Sequence, residues 1–404
     1  MSYLWDTYIV AYAAFWLKLI PVLVVFLGLL NVVPLLVFLE RKVCAWIQNR
    51  VGPNRVGVFG PDSPLEILGI NTGKVRFLGG FMQPLADAVK LITKEYFIPA
   101  GADRLLFMLG PVFAMLPPLL AFVVIPVGPD FNAFGHTIMM QVADLHVGIL
   151  FILAVASLSA YGLAFGGWAS NNKYALLGGV RAMAQMISYE IGMGIVILSI
   201  VMTYDTVSLR EMVYQQASAK QGVDGVWSGT SWCICEWGVF RQPLAFVLFT
   251  ICAFAENNRL PFDLAECEAE LVGGYHTEYN SMGFGMFFQG EYIAMLSMGA
   301  LIATLFLGGW HYLFFWQVYA WSPFFAMLLG LAAFGLKVMA FIFFSMWVRW
   351  TLPRFRWDQL MNIGWKGIVP LALANLLLTA FLHLPATMKE KPDYNNLKTA
   401  TAAK

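Results

Sequence analysis

Charge is what this sequence has least of. Only 12% of its 404 residues are Asp, Glu, Lys or Arg, while 59% are hydrophobic and mean hydropathy is +0.69. Soluble globular domains carry roughly 25% charged residues. Half that fraction cannot solvate a 45.0 kDa chain, so the bilayer is the expected solvent for most of it. The net charge of +1 gives no broad field to attract nucleic acid. Cysteine is scarce and poorly spaced: Cys44, Cys233, Cys235, Cys252 and Cys267 contain no Cys-x-x-Cys pair. That argues against a metal or iron–sulfur cluster in this chain and places any redox centre in a partner. Cys233 and Cys235 lie too close for an unstrained disulfide and read as free thiols. The five histidines, His136, His146, His276, His311 and His383, show no ligand spacing. The N-terminus lacks a basic n-region and reads as a first span rather than a signal peptide. No inverted repeat of the transporter kind is visible.

What is present is a series of long apolar runs. A spanning helix needs ~20 mostly apolar residues. Eight segments qualify, near 12–38, 104–126, 147–167, 176–203, 242–257, 283–309, 324–348 and 366–384, the fifth being short. The predicted fold class is an all-α membrane protein of about eight transmembrane helices plus an amphipathic helix. Lys and Arg concentrate between the first two spans and after the seventh, whereas 127–146 and 310–323 contain none. The basic side is therefore expected to be cytoplasmic, with long loops 39–103 and 258–282, and both termini are expected outside. The lysines of the tail oppose this weakly. Residues 204–241 form a longer external loop, 1–385 read as one polytopic domain, and the polar tail 386–404 is expected to be disordered. In 83–97, Leu85, Ala88, Val89, Ile92 and Tyr96 share one helical side, and Asp87, Lys90 and Lys94 the other. That pattern predicts an amphipathic helix at the interface or against a partner.

The richest chemistry lies in 255–280, AENNRLPFDLAECEAELVGGYHTEYN. Glu256, Asp263, Glu266, Glu268, Glu270 and Glu278 fall there, with Arg259 the only fixed cation. The i, i+3, i+7 spacing of Asp263, Glu266 and Glu270 predicts one helical face. Crowded, buried carboxyls cannot all ionise, so some should hold protons near neutral pH and respond to a nearby charge. A solvated acidic loop is the bland alternative, opposed by the interleaved apolar residues. Glu190 and Glu291 sit inside spans, where an ionised carboxylate is costly and must face the bundle interior. They read either as structural hydrogen-bonding groups or as a proton relay. His276 could join proton transfer. A second constellation, Glu40-Arg41-Lys42, leads into two Arg-Val-Gly turns at Arg50 and Arg55, a stiff basic loop at the surface. Gly162 and Gly166 form a GxxxG that suits close helix packing.

Five stretches in order resemble one family. They are ERKVCAWIQNRVGPNRVG, QPLADAVKLITKE, GWASNNKYALLGGVRAMAQMISYE, the acidic stretch above, and VRWTLPRFRWDQLMNIGWK. Together they resemble the quinone-site membrane subunit of respiratory complex I, a likeness running from about residue 30 to 380. The resemblance implies a membrane subunit of a proton-pumping NADH:quinone oxidoreductase, in a bacterial cytoplasmic membrane. It has no complete active site of its own. It implies that Glu40, Arg41, Arg50, Asp87, Lys90 and Phe262 border the quinone chamber and its entrance. It implies that Glu190, Glu256, Asp263, Glu266, Glu268, Glu270, Glu278 and Glu291 couple quinone chemistry to proton movement. Quinone is the implied substrate, and flavin mononucleotide (FMN) and iron–sulfur clusters are expected in peripheral-arm partners, with other partners in the membrane arm. Residues 59–82, the 205–240 loop and the tail depart from the family pattern. Three rivals remain at this level: the homologous subunit of a membrane-bound hydrogenase, a stand-alone ion-coupled transporter, and a pure anchoring subunit.

Overall fold

The computed structural model describes residues 2–54, 80–81, 83–129, 131–133, 136–138, 140–217, 220–221, 227–228, 236–311 and 323–389. Arg55, Cys233, Cys235, most of 59–82, much of 205–240 and residues 390–404 lie outside them. Helices occupy all eight expected places: α1 (Ser2–Ile47), α3 (Arg104–Ala121), α4 (Gly148–Ala169), α5 (Lys173–Tyr204), α8 (Pro243–Glu256), α10 (Ser281–Phe306), α11 (Pro323–Thr351) and α13 (Val369–Lys389). Between them lie α2 (Gln83–Thr93), α6 (Leu209–Gln216), α7 (Gly238–Arg241), α9 (Glu268–Leu271) and α12 (Trp357–Asn362), which passes through a π turn (Ile363–Ile368) into α13. Two minute antiparallel hairpins complete the described elements: β1 (Phe131–Ala133) with β2 (His136–Ile138), and β3 (Lys220–Gln221) with β4 (Trp227–Ser228).

Six of these stretches are long and apolar enough to cross a membrane: Arg104–Ala121, Gly148–Ala169, Lys173–Tyr204, Ser281–Phe306, Phe324–Thr351 and Trp357–His383. Pro243–Glu256 is apolar but shorter. The 46-residue α1 contains the first expected span and runs well past it, through Glu40, Arg41 and Lys42. Those charges find partners there: Glu40 in the bundle interior, Arg41 on α2, and Lys42 in the loop that follows, at the Val51 carbonyl and Asn54. Toward the outside, α11 and α13 expose large apolar side chains, such as Leu336 (74%) and Phe381 (75%), as lipid contact requires.

Local chemistry sets the helix ends. Asp103 caps α3, its carboxylate accepting from the amides of Leu105 (3.1 Å) and Leu106 (3.5 Å). Asn172 caps α5 through the Tyr174 amide at 2.9 Å. Pro243 opens α8 at its first turn, where a missing N–H does no harm. Close helix approach needs small residues, and the Gly162/Gly166 pair supplies them. A Cβ on Gly162 would lie 2.4 Å from the Ala114 nitrogen of α3. The packing expected of that pair is present.

The 14 residues of α8 span only about 21 Å, less than the ~30 Å hydrocarbon core. The chain stays inside the bundle after the helix stops. Glu256, Asn257, Asn258 and Arg259 are 4–7% exposed. Short α8 is therefore what brings the start of the acidic stretch indoors.

Candidate functional site

Ions meet where the ends of α1 and α11 approach the first half of α10. The Arg259 guanidinium donates to both carboxylate oxygens of Glu40, at 2.8 and 3.0 Å. It also pairs with Glu291 on α10. Arg349 of α11 closes on Glu40 as well, and the Tyr292 hydroxyl donates to it at 2.5 Å. The Tyr292 ring lies 4.5 Å beneath the Arg259 guanidinium. Glu40, Glu291 and Arg259 thus neutralise one another in the interior while Arg349 closes the cluster from its more exposed side, and such pairing is the condition for burying the charges.

The acidic loop lies against this cluster. It is not helical over 262–267, and the predicted common face of Asp263, Glu266 and Glu270 does not exist. Helix is limited to the single turn of α9. The reason is tertiary: Gly274, at φ +62, packs so tightly on the loop that a Cβ would lie 1.8 Å from the Ala265 carbonyl oxygen. The loop follows those contacts rather than its own periodicity. Asp263 consequently turns inward to Arg354, at 3.0 Å, whose other nitrogen donates to Cys267 Sγ at 2.9 Å. Glu266 accepts from the Tyr275 hydroxyl, and His276 Nδ1 lies 4.0 Å away. Glu270 turns outward to Arg181 at 2.8 Å and is half exposed.

A polar cavity of about 120 Å³ joins the two groups. Asp263, Glu266 and Glu291 line it together with Arg259, Arg349 and Tyr275. Burial and the neighbouring Asp263 push Glu266 up to about 7. Burial also raises Asp263, against the pull of Arg354. A smaller cavity of about 60 Å³ continues inward, with Glu256 and Glu291 both on its wall beside Ser159 and Ser297. Glu256 Oε2 is buried and meets no partner among the described residues.

Of the carboxyls expected to act together, the structure gathers Glu256, Asp263, Glu266 and Glu291. Glu190 is half-buried on α5 and lines neither cavity, although it lies near enough to Glu256 to act on it electrostatically. Glu278 accepts from Asn172 at 2.6 Å and also stands apart. Glu268 opens α9, but its side chain lies outside the described set.

The second expected constellation divides. Glu40 belongs with the buried ions, one residue away from neighbours that face outward. Arg41 pairs with Asp87 of α2 at 2.8 Å, and Gln83 donates to Asp87 at 2.9 Å. Arg41, Asp87 and Lys90 border a cavity of about 760 Å³ between α1, α2 and the start of α10, with apolar walls that include Val37, Leu91 and Phe288. Arg50 is separated from that cavity. It bonds Gln48 and borders a different hollow with Cys44 and Trp350. Phe262 lines none of these spaces; its ring packs 5.5 Å from both Tyr189 and Phe355 in the core, since a fully apolar side chain gains most there. The predicted amphipathic helix is α2; Asp87, Ala88, Lys90, Leu91 and Ile92 all line the cavity, so its expected charged and apolar sides are not segregated there, and Leu85 is exposed.

Sequence reasoning missed Arg349, Arg354, Tyr275 and Tyr292 as site residues and undervalued Arg259. A signal existed for Arg259, a lone cation among six acids. Cys44, Cys252 and Cys267 sit on different elements, and among the described residues no three of His, Cys, Asp and Glu converge as a metal site.

The chain matches the family described as NADH dehydrogenase over residues 20–380. It is similar to an NADH-quinone oxidoreductase H subunit of Geobacter metallireducens, 45% identical over 366 residues, covering 91% of this chain and 96% of the relative. The corresponding protein of Flavobacterium johnsoniae is 45% identical over 346 residues, covering 85% and 89%. That of Bdellovibrio bacteriovorus is 43% identical over 392 residues, covering 91% and 96%. A match over that much of both chains settles the kinship: this multi-pass membrane protein belongs to the NADH dehydrogenase family, alongside the proteins named as H subunits of NADH-quinone oxidoreductase.

Proposed function

We propose that the chain forms part of a quinone-reduction chamber in an NADH:quinone oxidoreductase and couples quinone chemistry to proton movement through its buried carboxyls. The observation that carries this reading is the polar cavity in which Asp263, Glu266 and Glu291 share one space with Arg259 and Arg349. A quinone takes up two electrons and two protons, and its anionic forms are unstable in a low-dielectric site. Negative charge arriving near the cavity raises the proton affinity of the facing carboxyls. Its removal lowers it again. Glu266, held up to about 7, is poised to change protonation near neutral pH. Arg259 binds both Glu40 and Glu291, so a change on one side of the guanidinium is felt on the other. The Glu256 cavity carries the path farther into the membrane.

The larger cavity between α1, α2 and α10 suits a quinone entrance, being apolar within and bordered by Arg41, Asp87 and Lys90. Flavin and iron–sulfur clusters would reside in partner subunits, which deliver electrons to quinone at the chamber. The basic ends of α1 and α11 would face the cytoplasm of a bacterial cell, against the peripheral partners.

The test is E266Q and E291Q in the assembled complex. Quinone-linked NADH oxidation and the number of protons moved per electron are expected to fall in both. Wild-type rates and proton yields in both variants would reject the coupling role.

A further inference from the structure

The acidic loop is tied to the bundle by one amide that no sequence signal marked. Gln185 lies on α5 and is wholly buried. The two hydrogens of its Nε2 serve three acceptors, the Ala255 carbonyl at 2.8 Å, the Phe262 carbonyl at 2.9 Å and, sharing one of those hydrogens, Asn258 Oδ1 at 3.1 Å. Each acceptor belongs to the residue just before an ionisable group: Ala255 precedes Glu256, Asn258 precedes Arg259, and Phe262 precedes Asp263. The amide orientation is dictated by its surroundings, since an oxygen turned toward three acceptors would be repelled. One turn farther along α5, Tyr189 supports the same loop, its ring against Phe262 and its hydroxyl donating to the Leu360 carbonyl at 2.9 Å.

We propose that Gln185 is a positioning residue for proton coupling: its one amide nitrogen sets where Glu256, Arg259 and Asp263 stand relative to each other and to Glu291. The inference rests on the coupling role proposed above and deepens it. The geometry leaves few substitutes. No other side chain bonds all three stretches among the described residues, and the loop between them has no ladder of its own to hold shape. If the nitrogen is removed, the Phe262 carbonyl loses its donor, while the Ala255 carbonyl still accepts from the Asn258 amide at 3.3 Å, and the Phe262 end of the loop shifts to regain a partner. Arg259 moves with the loop and loosens its hold on Glu40 and Glu291.

Q185M and Q185E in the full complex test this. Q185M keeps the volume and removes the donor. Q185E donates only while protonated, because an ionised carboxylate would face three acceptors. The groups that titrate around it are Glu256, Arg259 and Asp263 on the loop and Tyr189 on α5, with Tyr275 and Glu291 across the Glu256 cavity. NADH oxidation by a soluble artificial acceptor measures how much complex is assembled. Relative to that reference, Q185M is expected to lose about tenfold in quinone-linked rate at every pH. Q185E should work near wild-type rate in acid and lose rate as pH rises, a limb absent from wild type and from Q185M. A Q185M rate that falls only with the amount of assembled complex, or a Q185E profile parallel to wild type, would overturn the inference. If E266Q and E291Q impair coupling while Q185M does not, this inference alone fails. If E266Q and E291Q are silent, the coupling reading falls and takes the role of Gln185 with it.

Discussion

Two buried polar clusters occupy opposite ends of the helical bundle, and they are built differently. Near the far end of α5, Gln242 donates to Thr203 and Thr379, each at 3.0 Å. Asn375 of α13 donates to Ser199 at 3.2 Å and to the Gln242 oxygen at 3.1 Å. Every member is neutral, and the amides and hydroxyls pair among themselves. The other cluster joins Glu40, Arg259, Glu291, Tyr292 and Arg349, with Asp263 and Glu266 on the adjoining cavity. The neutral cluster has one protonation state and therefore holds α5, α8 and α13 together whatever the redox state nearby. The charged cluster has several states separated by single protons. Ionisability is what divides the two clusters, and the coupling role proposed above would draw on the charged one alone.

The contrast is tested most forcefully at Arg259. R259M leaves Glu40 and Glu291 buried without their shared cation, a loss of roughly 3–5 kcal/mol for a broken buried pair. Assembled complex and quinone-linked activity are expected to fall to background, measured against wild type in the same membranes. R259K should recover part of the assembly but not the simultaneous hold on Glu40 through Nη1 and on Glu291 through Nε.

The next effect is a pH dependence. In the folded chain Glu266 holds its proton up to about 7, whereas its ordinary value is 4.5. Between these values the folded state binds a proton that the unfolded state releases. Stability is therefore greatest below pH 4.5, from this group, and declines as pH rises through about 7. E266Q removes that slope. Thermal inactivation of the complex between about pH 5 and pH 8 should be flatter in the variant.

A smaller change is expected in the neutral cluster. N375L removes both amide donations, and such interhelical bonds contribute about 0.6–1.7 kcal/mol. Thermal inactivation should occur at a lower temperature, with turnover and its pH profile unchanged. A displaced pH profile in N375L would erase the distinction between the clusters. The smallest effect is expected at the half-exposed Arg41–Asp87 pair, where D87N should alter stability by about 1 kcal/mol or less. If the adjoining cavity admits quinone, the same variant changes KM for quinone more than kcat.

Several features were legible in the residues because they depend on local composition. The eight apolar runs locate the eight helices, since a bilayer demands length and hydrophobicity and little else. The amphipathic pattern of 83–97 locates α2, and the crowd of acids at 255–280 marks the candidate site. The internal shape of that site was not legible. Spacing suggested a helix carrying Asp263, Glu266 and Glu270, but the tight seat of Gly274 on Ala265 and the ties from Gln185 impose an irregular loop. Glu40 and Arg41 are adjacent in sequence yet belong to different environments, because neighbouring positions on a helix point about 100° apart.

Composition and periodicity along the chain were enough to specify the solvent, the helices and where the acids crowd, and five motifs in order carried the resemblance to the family. These follow from totals and repeats that no distant contact can change. The choice of which acids share a cavity, and which cation serves them, was left to the packing of the bundle. Glu40 and Arg259 are 219 positions apart, and Glu40 and Arg349 309. Such pairings are set by which helix ends meet when the bundle closes, and a buried charge is tolerated only where that closure delivers its partner.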